Sequence, residues 1–317
     1  MLLGKRIFIT GGAGFIGTTL TQRLADHNEV VIYDNLHRNA LKNTNLLNHS
    51  NVRFHQGDVL NSESVSKASQ AATHVVHLAA IAGVDSVMES PVRTMRVNLL
   101  GTVNVLEAVH RLSNLERFVD FSTSEVFGTH AYKVEETHIT SQGSVGEARW
   151  TYAVSKLAGE YLTHSYYHEF GLPAVTIRPF NIYGPNQVGV GAIHHFIRRA
   201  LQNQDIEIYG DGSQIRAWCY IDDIIDALFL ILEKPEAIGE VFNIGNPRST
   251  VTIFDLAKHI IRLSGSQSKI VFKPINYVDV EIRVPSIEKA RTLLGFDPKV
   301  DLEEGLQSTI TWYRSHL

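Results

Sequence analysis

The chain has a single cysteine, Cys219, among 317 residues. No internal disulfide can staple it, which agrees with a reducing compartment. Long hydrophobic runs are missing: the longest, residues 227–232, is far shorter than the ~20 apolar residues needed to cross a bilayer. The formal net charge is -4 and no basic run stands out, so the electrostatic footprint of a nucleic-acid binder is absent. At the N-terminus the charges Lys5 and Arg6 follow the first apolar residues, and a glycine-rich stretch from Gly11 interrupts any signal-like core. A cytoplasmic protein with no membrane role and no nucleic-acid partner is expected. The histidines, His194 and His195 included, lack ligand spacing to cysteine or carboxylates, so no metal site is expected. There is no internal repeat and no low-complexity segment.

What is present is the material of an ordinary enzyme-sized fold. With 44% hydrophobic and 20% charged residues, the chain can bury a full core as one large or two modest domains. Short β-branched runs recur at Ile7–Thr10, Val30–Tyr33, Val52–Phe54, Val75–Leu78, Phe118–Phe121 and Val175–Ile177. They read as buried parallel strands. Between them, Ile16–Ala25, Val97–Leu112 and Tyr152–Phe170 carry apolar residues three and four apart, the spacing of helices that cover a sheet. The expected class is α/β, a Rossmann-like doubly wound parallel sheet with a smaller, discontinuous C-terminal substrate-binding lobe. Residues 1–180 would form the first domain and 181–317 the lobe, because the alternation fails after Pro179 and glycines punctuate the chain at 184, 189, 191, 210 and 212. A helix over Ile221–Leu232 and a strand over Val241–Ile244 would return to the main sheet, rejoining it by about 216–245.

The first strand runs directly into Gly11-Gly12-Ala13-Gly14-Phe15-Ile16-Gly17 and then an amphipathic helix. Glycine lets the backbone turn tightly and approach a pyrophosphate, whose charge is stabilised by free amides at a helix N-terminus. Asp34 ends the second strand, 20 residues after Gly14, where a carboxylate would accept hydrogen bonds from an adenosine ribose and repel a 2′-phosphate. The expected cofactor is therefore NAD, with the nearby His37 and Arg38 the only features pointing toward NADP. Asp58, after the third strand, is placed to meet the adenine or simply to end a strand.

Tyr152-Ala153-Val154-Ser155-Lys156 opens a predicted helix, and a spacing of four puts Tyr152 and Lys156 on one face. An ammonium beside a phenol stabilises the phenolate and lowers a pKa that starts near ~10. Such a tyrosine can take the proton of a hydroxyl while hydride leaves the same carbon.

Five segments together, Thr10–Gly17, His77–Ala80, Ser122–Gly128, Tyr152–Lys156 and Arg178–Pro185, resemble the extended short-chain dehydrogenases that act on nucleotide sugars, in order and spacing along the whole chain. The resemblance implies a Thr123, Tyr152 and Lys156 triad. It implies an NAD cleft lined by Gly11, Gly14, Phe15, Ile16, Gly17, Asp34, Asn35, Asp58, Val59, Leu78, Ala79 and Ala80, with Tyr152 and Lys156 reaching the cofactor. It also implies a nucleotide sugar, UDP-linked, whose phosphates meet Asn181 and Arg216. Helices near 97–112 and 152–170 correspond to those that form the family's four-helix dimer interface, so a homodimer is expected by analogy.

Within that family the residues beside the threonine separate the chemistries. Thr123-Ser124-Glu125 has serine where 4,6-dehydratases carry aspartate, and a glutamate that simple 4-epimerases usually lack. The Ser-Glu pair, the Arg149–Lys156 segment, Asn243–Pro247 and Asp279–Ile287 are similar to UDP-glucuronate decarboxylases. By that resemblance Arg283 joins Ser124 and Glu125 in the active site. The expected reaction is oxidation at C4, loss of carbon dioxide from the β-keto acid, and return of hydride, giving UDP-xylose or its 4-keto form. Three alternatives stay open: Glu125 as a buried support, Arg283 as a diphosphate ligand, and the whole enzyme as a nucleotide-sugar 4-epimerase or, third, a dehydratase. A cofactor-sensing binding protein on this fold would be expected to lose Tyr152 or Lys156, and both are present. Phe127, where the family often has tyrosine, and the stretch 187–195 depart from the decarboxylase pattern.

Overall fold

The structure is a computed structural model that describes residues 2–275 and 277–317. Among these residues seven parallel strands build the main sheet: β1 (Arg6–Thr10), β2 (Glu29–Asp34), β3 (Val52–Gln56), β4 (His74–His77), β5 (Arg117–Phe121), β6 (Ala174–Pro179) and β7 (Val241–Ile244). Their spatial order is β7-β6-β5-β4-β1-β2-β3. The β-branched runs of β1, β2, β4, β5, β6 and β7 are largely buried, as a parallel sheet between helices requires, whereas β3, at the sheet edge, is mostly part-exposed rather than buried. The chain winds outward through β2 and β3 on one side of β1 and through β4 to β7 on the other. Its direction therefore reverses between β1 and β4, and the crevice beyond their C-terminal ends is the topological switch point where such sheets bind ligands.

Four helices position that crevice: α1 (Phe15–Leu24), α2 (Gly101–Val109), α3 (Thr151–Phe170) and α4 (Ile221–Glu233). Leu20 and Leu24 of α1 pack in the core with Ile224, Ile225 and Leu228 of α4. α2 is entered through a π-helical turn, Arg96–Leu100, that sets Asn98 facing the chain beyond β4. The Asn98 amide accepts from Ile81 N at 2.7 Å and donates to Ile81 O and to Ser155 Oγ, each at 3.0 Å. One buried side chain thus ties the loop after β4 to α3, the helix of Tyr152.

A smaller four-stranded sheet lies in the order 250–252, 215–217, 282–285, 130–134. The strand Val241–Ile244 pairs in parallel with β6, whereas 215–217 stays with the small sheet. His130–Val134 crosses the other way, from the first 180 residues into the small sheet beside 282–285. Segments from early in the chain and from its last third therefore meet edge to edge.

Arg178 of β6 and Glu160 of α3 lock helix to sheet. Both are buried, and the guanidinium reaches the carboxylate at 2.8, 3.0 and 3.1 Å and the Glu136 carbonyl at 3.1 Å. Removing one partner of such a pair strands a buried charge, which costs more than the pair contributes. Glu160→Ala is expected to lower unfolding free energy by about 3 kcal/mol, read from urea denaturation; a midpoint equal to the parent's would contradict this account.

Candidate active site

The switch-point crevice has a volume of about 310 Å³ and is lined by every residue that the sequence assigns to the cofactor, Gly11 to Ala80 together with Tyr152 and Lys156. Two glycines show why the first turn takes no side chain. Gly11 has φ +69°, and a Cβ there would lie 2.7 Å from the Ala79 backbone nitrogen. A Cβ on Gly17 would lie 2.5 Å from Gly12 Cα. β1, β4 and α1 can converge only without side chains at these positions.

The Asp34 carboxylate accepts from Ala13 N at 3.1 Å and Leu36 N at 2.7 Å, which fixes it at the mouth of the crevice. Burial pushes its pKa up while those amides pull it down. Arg38 does not project toward Asp34: its guanidinium donates to the Ala82 carbonyl at 2.6 Å and packs against Gly189. One of the two cations that pointed toward NADP is therefore engaged with the backbone. The glycine turn, the open crevice and this carboxylate fit NAD.

Tyr152 lies on the first turn of α3, partly open to the crevice, and Lys156 lies one turn further, buried. Thr123, two residues past β5, accepts from Glu125 N at 3.1 Å through its hydroxyl. The phenol is not activated as the sequence alone suggests. Burial raises its pKa, the Glu125 charge raises it further, and the Thr123 hydrogen bond with the charges of Arg38 and Arg283 only partly oppose them. Desolvation is the largest influence, and it favours the protonated phenol.

Nearby, three buried arginines meet two half-buried carboxylates. Glu125 Oε2 accepts from Arg149 Nη1 at 3.0 Å, and Glu125 Oε1 lies 3.6 Å from Arg283 Nη1. Arg149 Nη2 also reaches Asp279 Oδ1 at 3.3 Å, whose other oxygen is 3.6 Å from Arg216 Nη2. Arg216 and Arg283 are register neighbours on adjacent strands of the small sheet. The sum is three guanidiniums against two carboxylates, and the Nε atoms of Arg149 and Arg283 are buried with no hydrogen-bond partner. Burial, then the charge of Arg283, pulls Arg216 down to about 10. A buried excess of positive charge is costly unless an anion completes it.

Ser124 is buried on the short turn after Thr123. Asn181, at φ +41°, spends its amide on the Ala217 carbonyl at 2.8 Å, next to Arg216. Sequence reasoning did not single out Arg149 or Asp279, and it read Arg38 only as a possible phosphate ligand, not as a partner of the Ala82 carbonyl. Their roles arise from partners 24 to 130 residues away, and no local spacing announces them. Among the described residues no group of three or more histidine, cysteine or carboxylate side chains could hold a metal ion, and no helix is long and apolar enough to cross a membrane.

The model of the NAD dependent epimerase/dehydratase family matches residues 7–245. The chain belongs to that family. As an NAD-dependent epimerase/dehydratase family member it is an enzyme, and its cofactor is NAD. It is 35% identical over 98% of its length to the UDP-N-acetyl-alpha-D-glucosaminuronate decarboxylase of Bacillus cytotoxicus, 98% of which is covered. It is 33% identical over 99% of its length to UDP-glucuronic acid decarboxylase 1 of Xenopus tropicalis, covering 73% of that protein. Among solved structures, the UDP-glucuronic acid 4-epimerase of Bacillus cereus, in complex with UDP-glucuronic acid and NAD, superposes with a TM-score of 0.90 at 33% identity, covering 98% of this chain and all of the other.

Proposed function

We propose that this family member converts a UDP-linked uronate through a 4-keto intermediate and removes its carboxylate, with UDP-glucuronate the first substrate to test. The observation that carries the reading is the positively unbalanced cluster of buried Arg149, Arg216 and Arg283 with Glu125 and Asp279, of which Glu125 and Arg283 act electrostatically on the phenol of Tyr152. A uronate carboxylate and a diphosphate are both anions that can complete it. The decarboxylases among the relatives support the same reading.

Bound NAD supplies the hydride exchange at C4. Tyr152, one turn from Lys156 on α3, would take the C4 hydroxyl proton and then donate a hydrogen bond to the resulting carbonyl. The guanidiniums of Arg149 and Arg283 hold the C6 carboxylate. The C5–C6 bond breaks, its electrons pass into the C4 carbonyl as an enolate, and carbon dioxide departs. Ser124 would help orient the departing carboxylate, and Glu125 would relay a proton to C5. Asn181 and Arg216 would hold the diphosphate. By charge and position Arg283 serves the carboxylate through its contact with Glu125, rather than the diphosphate alone.

α2 and α3 are the helices we assign to a homodimer interface, with Leu100 exposed just before α2 and Val154 and Tyr161 exposed on α3. A monomer at micromolar concentration in sedimentation equilibrium would remove that assignment. The activity is tested by incubating the protein with NAD and a panel of UDP-sugars and weighing the products. Loss of the mass of carbon dioxide from UDP-glucuronate or its N-acetyl counterpart is expected. An isomer of unchanged mass would make the enzyme a 4-epimerase, and loss of water a dehydratase.

A further inference from the structure

Beneath the catalytic pair a polar row crosses the sheet. Tyr33, Thr10, His77, Asp120 and Thr176 occupy one register row on neighbouring strands β2, β1, β4, β5 and β6, and all are buried. Each but one has its polar atoms accounted for or carries only a hydroxyl. Tyr33 bonds the Asp58 carbonyl and Ser64. His77 lies 2.7 Å from the Thr10 hydroxyl and 3.0 Å from that of Thr102. Because Thr102 donates to the Asn98 carbonyl, it accepts from His77 Nε2, which fixes the tautomer. Burial, then the charge of Lys156, pulls His77 down to about 3, so it is neutral.

The exception is Asp120. It is wholly buried, and neither carboxylate oxygen has a hydrogen-bond partner. The cation in reach is Lys156, whose Nζ stands 3.7 Å from Asp120 Oδ1 and is itself buried. Glu160, the other carboxylate near this pocket, is taken by Arg178. Facing the pair are therefore neutral His77 from β4, the Glu160–Arg178 ion pair from α3 and β6, and the uncharged Thr102 from α2. Tyr152 itself faces Glu125, Arg283 and Arg38.

We infer that Asp120 is a positioning residue whose carboxylate holds the Lys156 ammonium from beneath and sets the pH at which Tyr152 gives up its proton. The inference rests on the assignment of Tyr152 and Lys156 above. A lysine under the active site serves only if its ammonium stays aimed along the helix face, and a carboxylate in the strand below fixes it there. The same negative charge offsets part of the field that favours the phenolate, so the pair acts as both tether and brake.

The sign of the effect follows. Asp120→Asn keeps the shape, removes the negative charge, and leaves Lys156 free to stabilise the phenolate more fully. In the full-length protein with its NAD, the acid limb of the kcat profile is expected to move to lower pH by roughly half to one unit. The assay uses whichever UDP-sugar the panel shows to be turned over. A limb that superimposes on the parent's, or moves up, overturns the inference whatever the absolute rate. Should Asp120→Asn fail to fold or to turn over, stability decides: Lys156→Met strands the buried carboxylate, so the double variant Asp120→Leu with Lys156→Met should be more stable than Lys156→Met alone. Additive losses would overturn the pairing. Tyr152→Phe separates the two claims: full turnover in that variant defeats the catalytic assignment, whereas an inactive Tyr152→Phe with an unmoved Asp120→Asn limb defeats only the role of Asp120.

Discussion

Tyr152→Phe is expected to lower turnover by roughly 10³- to 10⁴-fold while NAD binding is retained. The ring stays, so the start of α3 and the wall of the crevice keep their shape, and the glycine turn and Asp34 that fit NAD lie on other elements. What is lost is the oxygen that exchanges a proton with the C4 hydroxyl, and no neighbour can replace it. Thr123 starts far too high in pKa to act as a base, and Lys156 is buried against Asp120. The protein alone holds the phenol protonated by burial, so parent activity should rise with pH through the range where Tyr152 ionises in the loaded enzyme, and Tyr152→Phe should lack that rise. Turnover measured across pH, with cofactor content determined on the same samples, checks both halves.

Glu125→Gln should lower decarboxylation by roughly 10²-fold without loss of NAD. The carboxylate is the shared partner of Arg149 and Arg283. Glutamine preserves the shape and a carbonyl acceptor, but the cluster changes from three cations against two anions to three against one. Two outcomes then follow together. The guanidiniums lose the anion that spaces them for the substrate carboxylate, and the site loses the carboxylate that would relay a proton to C5. Chemistry that stops at C4 needs neither, so a pure 4-epimerase would retain most of its rate. Product analysis of the variant against the parent measures this, and unchanged turnover would remove Glu125 from the mechanism.

The parallel strands and the cofactor crevice were legible because the residues that make them act locally. The β-branched runs mark β1 to β7, and a glycine turn followed by Asp34 carries its own geometry. The small sheet was not legible in the same way. His130–Val134 is a mostly exposed edge strand, and its partner lies about 150 residues away at 282–285, so no period in the sequence joins them. The charge cluster was half legible: Glu125 and Arg283 could be singled out through family resemblance, but Arg149 and Asp279 become functional only when the two sheets bring them together. The phenol's pKa was misjudged for a physical reason, because spacing reveals the lysine and conceals the desolvation. Asp120 did carry a signal. An aspartate inside the buried run Phe118–Phe121 must find a cation or a proton, and that cation is Lys156.

The central claim is that this NAD-dependent enzyme cleaves C5–C6 of a UDP-linked uronate. The most direct measurement follows UDP-glucuronate carrying ¹³C in its carboxylate, incubated with the protein and NAD. The account predicts that the label leaves as carbon dioxide while a UDP-pentose or its 4-ketone accumulates. Label retained in a UDP-uronate with inverted C4 would contradict it.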